Sequence, residues 1–479
     1  MQLVKSITLK KIKTLHCLFL TILVLLFAAF NPAFSQDNSP YSRYGIGDLV
    51  PASNILNRGM AGIAAGYTDI ASVNFNNPAS YAAFQSLQEQ KSKKIVSGRA
   101  ILDMGMDFET RSLQESSPAK KFTASNALFS YVQVGVPLKK NWGLSFGLRP
   151  LSRISYKIIH NERLKDPLTG LPIDSATTRN EGDGGAYLAS VGTGFTLFRK
   201  ERTKGRTKGM EEKLSFGINA GYLFGKKDYS TRRSLINDTV NYYQANYETK
   251  TSYGSLYFSA GLQYKVSLNK KISLTAGAFG KWSQKLNATQ DILRETFVFD
   301  DNIGEVRLDS VSDQKDLKGK INMPGSYTVG FLVQKPVLID KDKKESGWMV
   351  GLDFSMENWK QYRFYGRTDS VKNKWELRVG GQFNPVPTGN YFSNVAFRAG
   401  FFIGPDYIKV GKNLPVFGGS FGLGLPLFGR QAPNQYTLIN LAFEYSKRGN
   451  NKNLLKENMF RFSLGFSLSD IWFGKRKYD

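Results

Sequence analysis

The sequence predicts an all-β transmembrane barrel of about fourteen antiparallel strands, closed around an N-terminal plug. Three observations carry this: an export signal at the start, no later apolar run long enough for a membrane helix, and a period-two alternation of apolar and small residues that recurs from Ile95 to the C-terminus.

The signal comes first. Lys5, Lys10, Lys11 and Lys13 form a charged leader, and the run from Leu15 to Phe30 is almost wholly apolar. It stops at Asn31-Pro32, before Ala33-Phe34-Ser35, a small-x-small cleavage site. Residues 1–35 are therefore expected to be a cleaved signal peptide, with Gln36 as the new N-terminus. Cys17, the only cysteine, lies inside this segment, so the mature chain has no disulfide or thiol chemistry. A cysteine-free exported chain of this length needs another closure, and a barrel supplies it by pairing every strand edge.

The strands follow. In the last, Phe460, Phe462, Leu464, Phe466 and Leu468 alternate with Arg461, Ser463, Gly465, Ser467 and Ser469. Elsewhere Ser215, Gly217, Asn219 and Gly221 stand opposite Leu214, Phe216, Ile218 and Ala220, and a small, sparsely charged face suits a confined lumen better than open water. Such segments fall near 95–108, 122–136, 142–159, 186–199, 214–227, 251–268, 272–289, 321–334, 347–359, 374–384, 395–403, 415–425, 436–446 and 459–470. An even count returns both termini to the periplasm. The long connections 160–185, 228–250 and 290–320 are then expected as extracellular loops, and the tandem Arg202-Thr203-Lys204-Gly205 and Arg206-Thr207-Lys208-Gly209 as a solvated periplasmic turn.

Composition agrees. The sequence holds 46 glycines and 13% aromatics beside 17 prolines, and its formal charge is +26. An exported chain with its charge in the connections argues against nucleic acid as a partner. An enzyme is not expected: His160 is the only histidine after residue 35, no base and orienting group accompany a nucleophile, and no metal-ligand cluster or cofactor motif is visible.

The segment 36–94 precedes the first strand of a barrel expected over 95–479. It is too long and too complex for a leader and is expected to fold inside the lumen. It contains Ser39-Pro40-Tyr41-Ser42-Arg43-Tyr44, then Arg58-Gly59-Met60-Ala61-Gly62, then Asn76-Asn77-Pro78-Ala79-Ser80-Tyr81. Here the sequence resembles the FadL/TodX family of outer-membrane transporters, whose plug carries an Asn-Pro-Ala motif before the first of fourteen strands. Asn77, Pro78 and Ala79 match it. The opening segment and the C-terminal Asp470 to Tyr478 look like Bacteroidetes-type members. One departure is the tail Gly474 to Asp479, which runs past the usual terminal aromatic, with Trp472 and Phe473 as substitutes.

The resemblance implies a monomer in the Gram-negative outer membrane that takes up a hydrophobic, fatty-acid-like ligand passively and releases it sideways into the bilayer. Outer-membrane lipid, lipopolysaccharide and the outer-membrane assembly machinery are its expected partners. Tyr41, Arg43, Tyr44, Phe75 and Tyr81 are the expected plug anchors. Pro150, inside strand three, lacks the N–H that a ladder needs, so either an inward kink or a bulge above the membrane at the strand's outer end is expected there; the resembled family uses a kink in its third strand as its lateral door. The alternative is a barrel of the same architecture that serves protein secretion or surface assembly without transport. A connected apolar pocket would favour uptake, and a lumen filled by side chains would favour the alternative.

Overall fold

The computed structural model describes residues 39–88, 95–116, 119–201, 210–236, 242–300, 303–340, 344–388, 390–428 and 436–474. The signal segment, the basic repeat at 202–209 and the tail from Lys475 lie outside them.

Fourteen antiparallel barrel strands are present. They are β1 (Ile95–Ser116), β2 (Ala119–Lys139), β3 (Trp142–Lys165), β4 (Pro172–Glu201), β5 (Glu211–Ile236), β6 (Gln244–Ser267) and β7 (Ser273–Lys281, resuming at Gln284–Asp300). Then come β8 (Gly304–Met323, resuming at Ser326–Lys335), β9 (Gly347–Glu357), β10 (Lys374–Asn384), β11 (Ala396–Val410), β12 (Lys412–Phe428), β13 (Tyr436–Arg448) and β14 (Leu455–Gly474). Each pairs with the next, and β14 pairs back onto β1 from Leu455↔Glu115 to Gly474↔Ser97, which closes the ring.

Alternation sorts the two faces as the sequence requires. Phe129, Phe146, Leu148, Phe258, Phe401 and Phe460 stand exposed, while Ser215, Asn219, Asn440, Ser463 and Ser467 are buried. A face of large apolar groups turned outward suits lipid as its solvent.

Three of the expected loops change. The segments 160–185, 228–250 and 290–320 are largely strand: β4 starts at Pro172, β5 runs to Ile236, and β7 and β8 extend to Asp300 and from Gly304. The ladders simply continue beyond the apolar band, because polar residues pair as well as apolar ones where water replaces lipid. Of the three tips, 166–171 between β3 and β4 is described throughout and is a short turn.

The wall is not paired throughout. β2 and β3 ladder from Lys139↔Trp142 to Val132↔Leu148 and no further, although β2 continues its ladder with β1 up to Ala119. Above Leu148, a bulge between Pro150 and Ser152 turns β3 inward, and the edge that faced β2 pairs with a two-residue plug strand: Asp48↔Arg153 and Leu49↔Ser152. Val50 N–H donates to the Leu151 carbonyl at 3.1 Å and Ser39 N–H to that of Ser155 at 3.2 Å. On the β2 side, Arg153 Nη2 reaches the Phe129 carbonyl at 2.8 Å.

The core is the plug itself. Leu56, Met60, Ile63 and Tyr67 pack against Leu332, and Ile55, Val73, Phe75, Tyr81 and Phe84 pack against Ile101 and Tyr131. A third cluster joins Tyr41 and Ile46 to Trp359, Tyr362, Tyr407 and Ile408 from the loop end. Barrel glycines admit the plug backbone: a Cβ at Gly217 would overlap Pro78, and one at Gly277 the Ala65 carbonyl.

Candidate functional site: the plug and the luminal cavity

Asn77 begins the motif and is fully buried. Its side chain accepts from Ala79 N–H at 3.2 Å, as an N-cap of the 3-10 helix Pro78–Ala83, and Nδ2 donates to the Ala65 carbonyl at 2.8 Å. Proline fits the first helical position because its missing N–H has no partner there. Tyr81 Oη donates to Asn219 at 3.1 Å, and the Phase of packing is set by rings: Phe75 lies 5.2 Å from Tyr131 and Tyr81 5.7 Å from Phe84. Tyr41 Oη donates to the Leu455 carbonyl at 2.7 Å, and Tyr407 donates to the Tyr44 carbonyl at 3.1 Å. Arg43 differs from the other four expected anchors and stands exposed at the end of its turn. Pro150 is buried opposite Tyr187, eight residues above Trp142. A strand needs about nine to eleven residues to cross the bilayer, so the bulge lies in the outer part of β3.

Charged groups tie the plug to the wall at further points. Arg58, at the end of the short helix α1 (Ile55–Arg58), gives Nη1 to both Asp107 oxygens at 2.6 and 2.7 Å, Nη2 to Ser130 Oγ at 2.6 Å and Nε to the Ser53 carbonyl at 3.0 Å. Asp353 accepts from Ala64 and Ala65 N–H at 2.7 and 2.9 Å. Asp48 takes Arg111 at 2.6 Å and Arg448 at 2.9 Å. Burial opposes its ionisation, but the Arg448 and Arg111 guanidiniums outweigh that and hold its carboxyl below the usual carboxylate range. Burial also pushes the Tyr41 hydroxyl up to about 12.

Between plug and wall lies a cavity of about 320 Å³. Its lining includes eight cationic side chains, among them Arg58, Arg149, Arg378 and Arg461, and six carboxylates, among them Asp48, Glu376 and Glu444. Apolar groups such as Leu49, Phe75, Leu151 and Phe402 share it, the first and third beside the unpaired wall. The sequence reading missed these charges. A signal was present: Asp103, Asp107, Glu109 and Arg111 recur at even spacing, which puts them on one face of β1 opposite Leu102, Met104, Met106 and Phe108.

The sequence matches the BamG family over residues 11–479. The chain belongs to that family. No curated protein matches it in sequence at a significant level. Among solved structures, this BamG-family chain is similar to a Pseudomonas aeruginosa FadL homologue, with 12% identity, 88% of this chain and 98% of that one covered, and a TM-score of 0.49. It is similar to the Pseudomonas putida toluene transporter TodX at 12% identity, 89% and 99% coverage and 0.43, and to the CymD monoaromatic hydrocarbon channel at 12%, 88% and 98%, and 0.45. These are the channels whose group the Asn-Pro-Ala motif resembles. Likeness at this level says nothing about cargo.

Proposed function

We propose that this BamG-family protein is a plugged outer-membrane barrel that serves the assembly of other proteins at that membrane and does not conduct solutes. The observation that carries this is the luminal cavity. An apolar solute entering it would strip water from ionised groups that make their best contacts with each other and with water, and that desolvation is costly. Plug contacts also reach many strands, so clearing the lumen would break several buried ion pairs together. The family name points in the same direction, toward an assembly machinery. The test is affinity purification of the tagged protein from native membranes at its natural level. Recovery of the machinery that inserts outer-membrane barrels is expected; its absence at native abundance would refute the reading.

Passive uptake of a hydrophobic compound is a second reading, favoured by the unpaired wall between β2 and β3. The gap beside Pro150 is a geometry for sideways release, and Leu49 and Leu151 line the cavity just inside it. A disulfide between Ser130→Cys and Pro150→Cys, just above the last β2–β3 pair, tests it, since no cysteine follows Cys17. Reversible loss of labelled fatty-acid uptake on oxidation supports uptake; unchanged uptake with the bond verified removes it.

A further inference from the structure

The strand edges left open in the wall are not alike. The outer part of β8, Gly304–Met323, pairs away from β7 only at Ile321 and Asn322 among the described residues, and bulges interrupt its ladder with β7 at three points. Bulges are one way in which a sheet blunts a free edge. The two edges that face each other across the seam between β2 and β3 carry no such device. β2 ladders onto β1 from Met106↔Phe129 to Ser116↔Ala119 without a register shift, and β3 onto β4 from Arg153↔Gly185 to Arg163↔Ser175 without one. Neither 121–129 nor 155–163 contains a proline or a glycine.

Two contacts show which backbone groups face the seam. The Phe129 carbonyl accepts from Arg153 Nη2 across it, and on the other side Ser155 accepts from Ser39 N–H and gives its own N–H to Ser42 Oγ at 3.2 Å. Successive residues of a strand turn their backbone groups to alternate sides. Lys121, Thr123, Ser125 and Ala127 therefore face the seam with Phe129, and Ile159, Asn161 and Arg163 face it with Ser155. The N–H and carbonyl groups of these seven residues have no hydrogen-bond partner among the described residues. The foot of the seam already takes a strand, since Asp48-Leu49 of the plug pairs with β3 there.

We propose that the seam is a docking slot for an extended segment of another protein, which adds a strand to the free edge of β2. The open groups recur at every second residue, about 7 Å apart, each a donor beside an acceptor. Only another backbone repeats both at that interval. Acyl chains carry neither group, and a lipid headgroup meets one such pair at most. Polar residues such as Thr123, Asn126, His160 and Asn161 put this part of the wall beyond the apolar band, so water meets the open groups until a strand replaces it. The slot stands whether or not the protein serves assembly.

The test uses the full chain in nanodiscs and a short fluorescein-labelled peptide of alternating Thr and Val, beside a twin N-methylated on every backbone nitrogen. One variant carries Thr123→Pro and Ala127→Pro, which remove two seam-facing N–H groups that no ladder uses. A control, Thr123→Val with Ala127→Val, keeps both, and heat-modifiable mobility verifies folding. We expect saturable binding of the peptide to wild type and control, and at least tenfold weaker binding both of the peptide to the proline variant and of the methylated twin to wild type. Absence of saturable binding to wild type would overturn the proposal, as would equal affinity of peptide and twin, or of wild type and proline variant. Equal losses in the proline variant and the control would overturn it too, because side chains and not backbone would then decide. Dimers of wild type that the prolines dissolve would give the slot to a second copy instead of a partner. If the proline variant does not fold, the comparison of peptide and twin decides alone.

Discussion

Arg58→Met should loosen the plug more than any other single change in it. The substitution keeps most of the side-chain volume but removes the bidentate ion pair to Asp107, which is fully buried and keeps only the more distant Arg461 charge. A buried carboxylate stripped of its cation costs about 3–5 kcal/mol. Ser463 Oγ still donates to Asp107 at 2.8 Å, so the lower part of that range applies, about 3 kcal/mol. At about 1.4 kcal/mol per tenfold, the plug-open population should rise by roughly two orders of magnitude. Hydrogen exchange of peptides covering 53–67 in detergent reads this directly, and the barrel ladders serve as internal controls. The double variant Arg58→Met with Asp107→Leu removes both charges and should recover at least half of the lost protection, because an apolar pair of similar size carries no uncompensated charge. Wild-type exchange in the single variant would refute the reasoning, as would a double variant no better protected than the single.

Three further outcomes follow from the same geometry. Asp48→Asn should destabilise the protein at pH 6 by about 3 kcal/mol in urea melts; because the folded pKa of Asp48 is depressed, its contribution is present above the unfolded value near 3.9 and is lost as pH falls through the folded one, so the difference between wild type and variant should shrink below about pH 4, and a constant difference down to pH 3 would exclude the Arg111–Asp48–Arg448 clamp. Gly217→Val should force Pro78 away from β5 at a cost of about 1–3 kcal/mol, read as faster exchange over 74–84, and unchanged exchange there would mean the plug does not rest on that glycine. On intact cells, Leu168→Cys at the exposed β3–β4 tip should react with an impermeant maleimide and Lys270→Cys should not; the reverse pattern would invert the topology.

Strand number, order and facing were legible because each depends on a local period-two pattern, and all fourteen expected segments fall on strands. Their outer ends were not. Arg179, Glu181, Arg232 and Arg233 belong to strands that have left the apolar band, where polar side chains on both faces erase the alternation that marks a strand. The bend at Pro150 was readable, since a residue without an N–H must interrupt a ladder, but the partner that takes over the freed edge was not: Asp48-Leu49 is a dipeptide with no pattern of its own, and its pairing with Arg153 and Ser152 is fixed by the folded plug. The plug anchors divide in the same way. Tyr41, Phe75 and Tyr81 are large and apolar enough to be read as buried, whereas the pairing of Arg58 with Asp107 spans 49 positions and no local rule connects them.

The plug leaves the ribosome before any barrel strand, yet it has nowhere to fold until the last one is in place. Arg58 needs Asp107 on β1, Ala64 needs Asp353 on β9, Ala61 needs Ser420 on β12, and Tyr41 needs Leu455 on β14. Those partners surround it only when β14 has met β1. Apolar plug residues such as Ile55, Val73 and Phe84 find their burial against Ile101 and Tyr131 of the barrel, so a chain whose ring is open leaves them exposed. A chaperone that holds this stretch extended would cover the one interval in which the chain is most prone to aggregate, and docking of the plug marks the end of that interval.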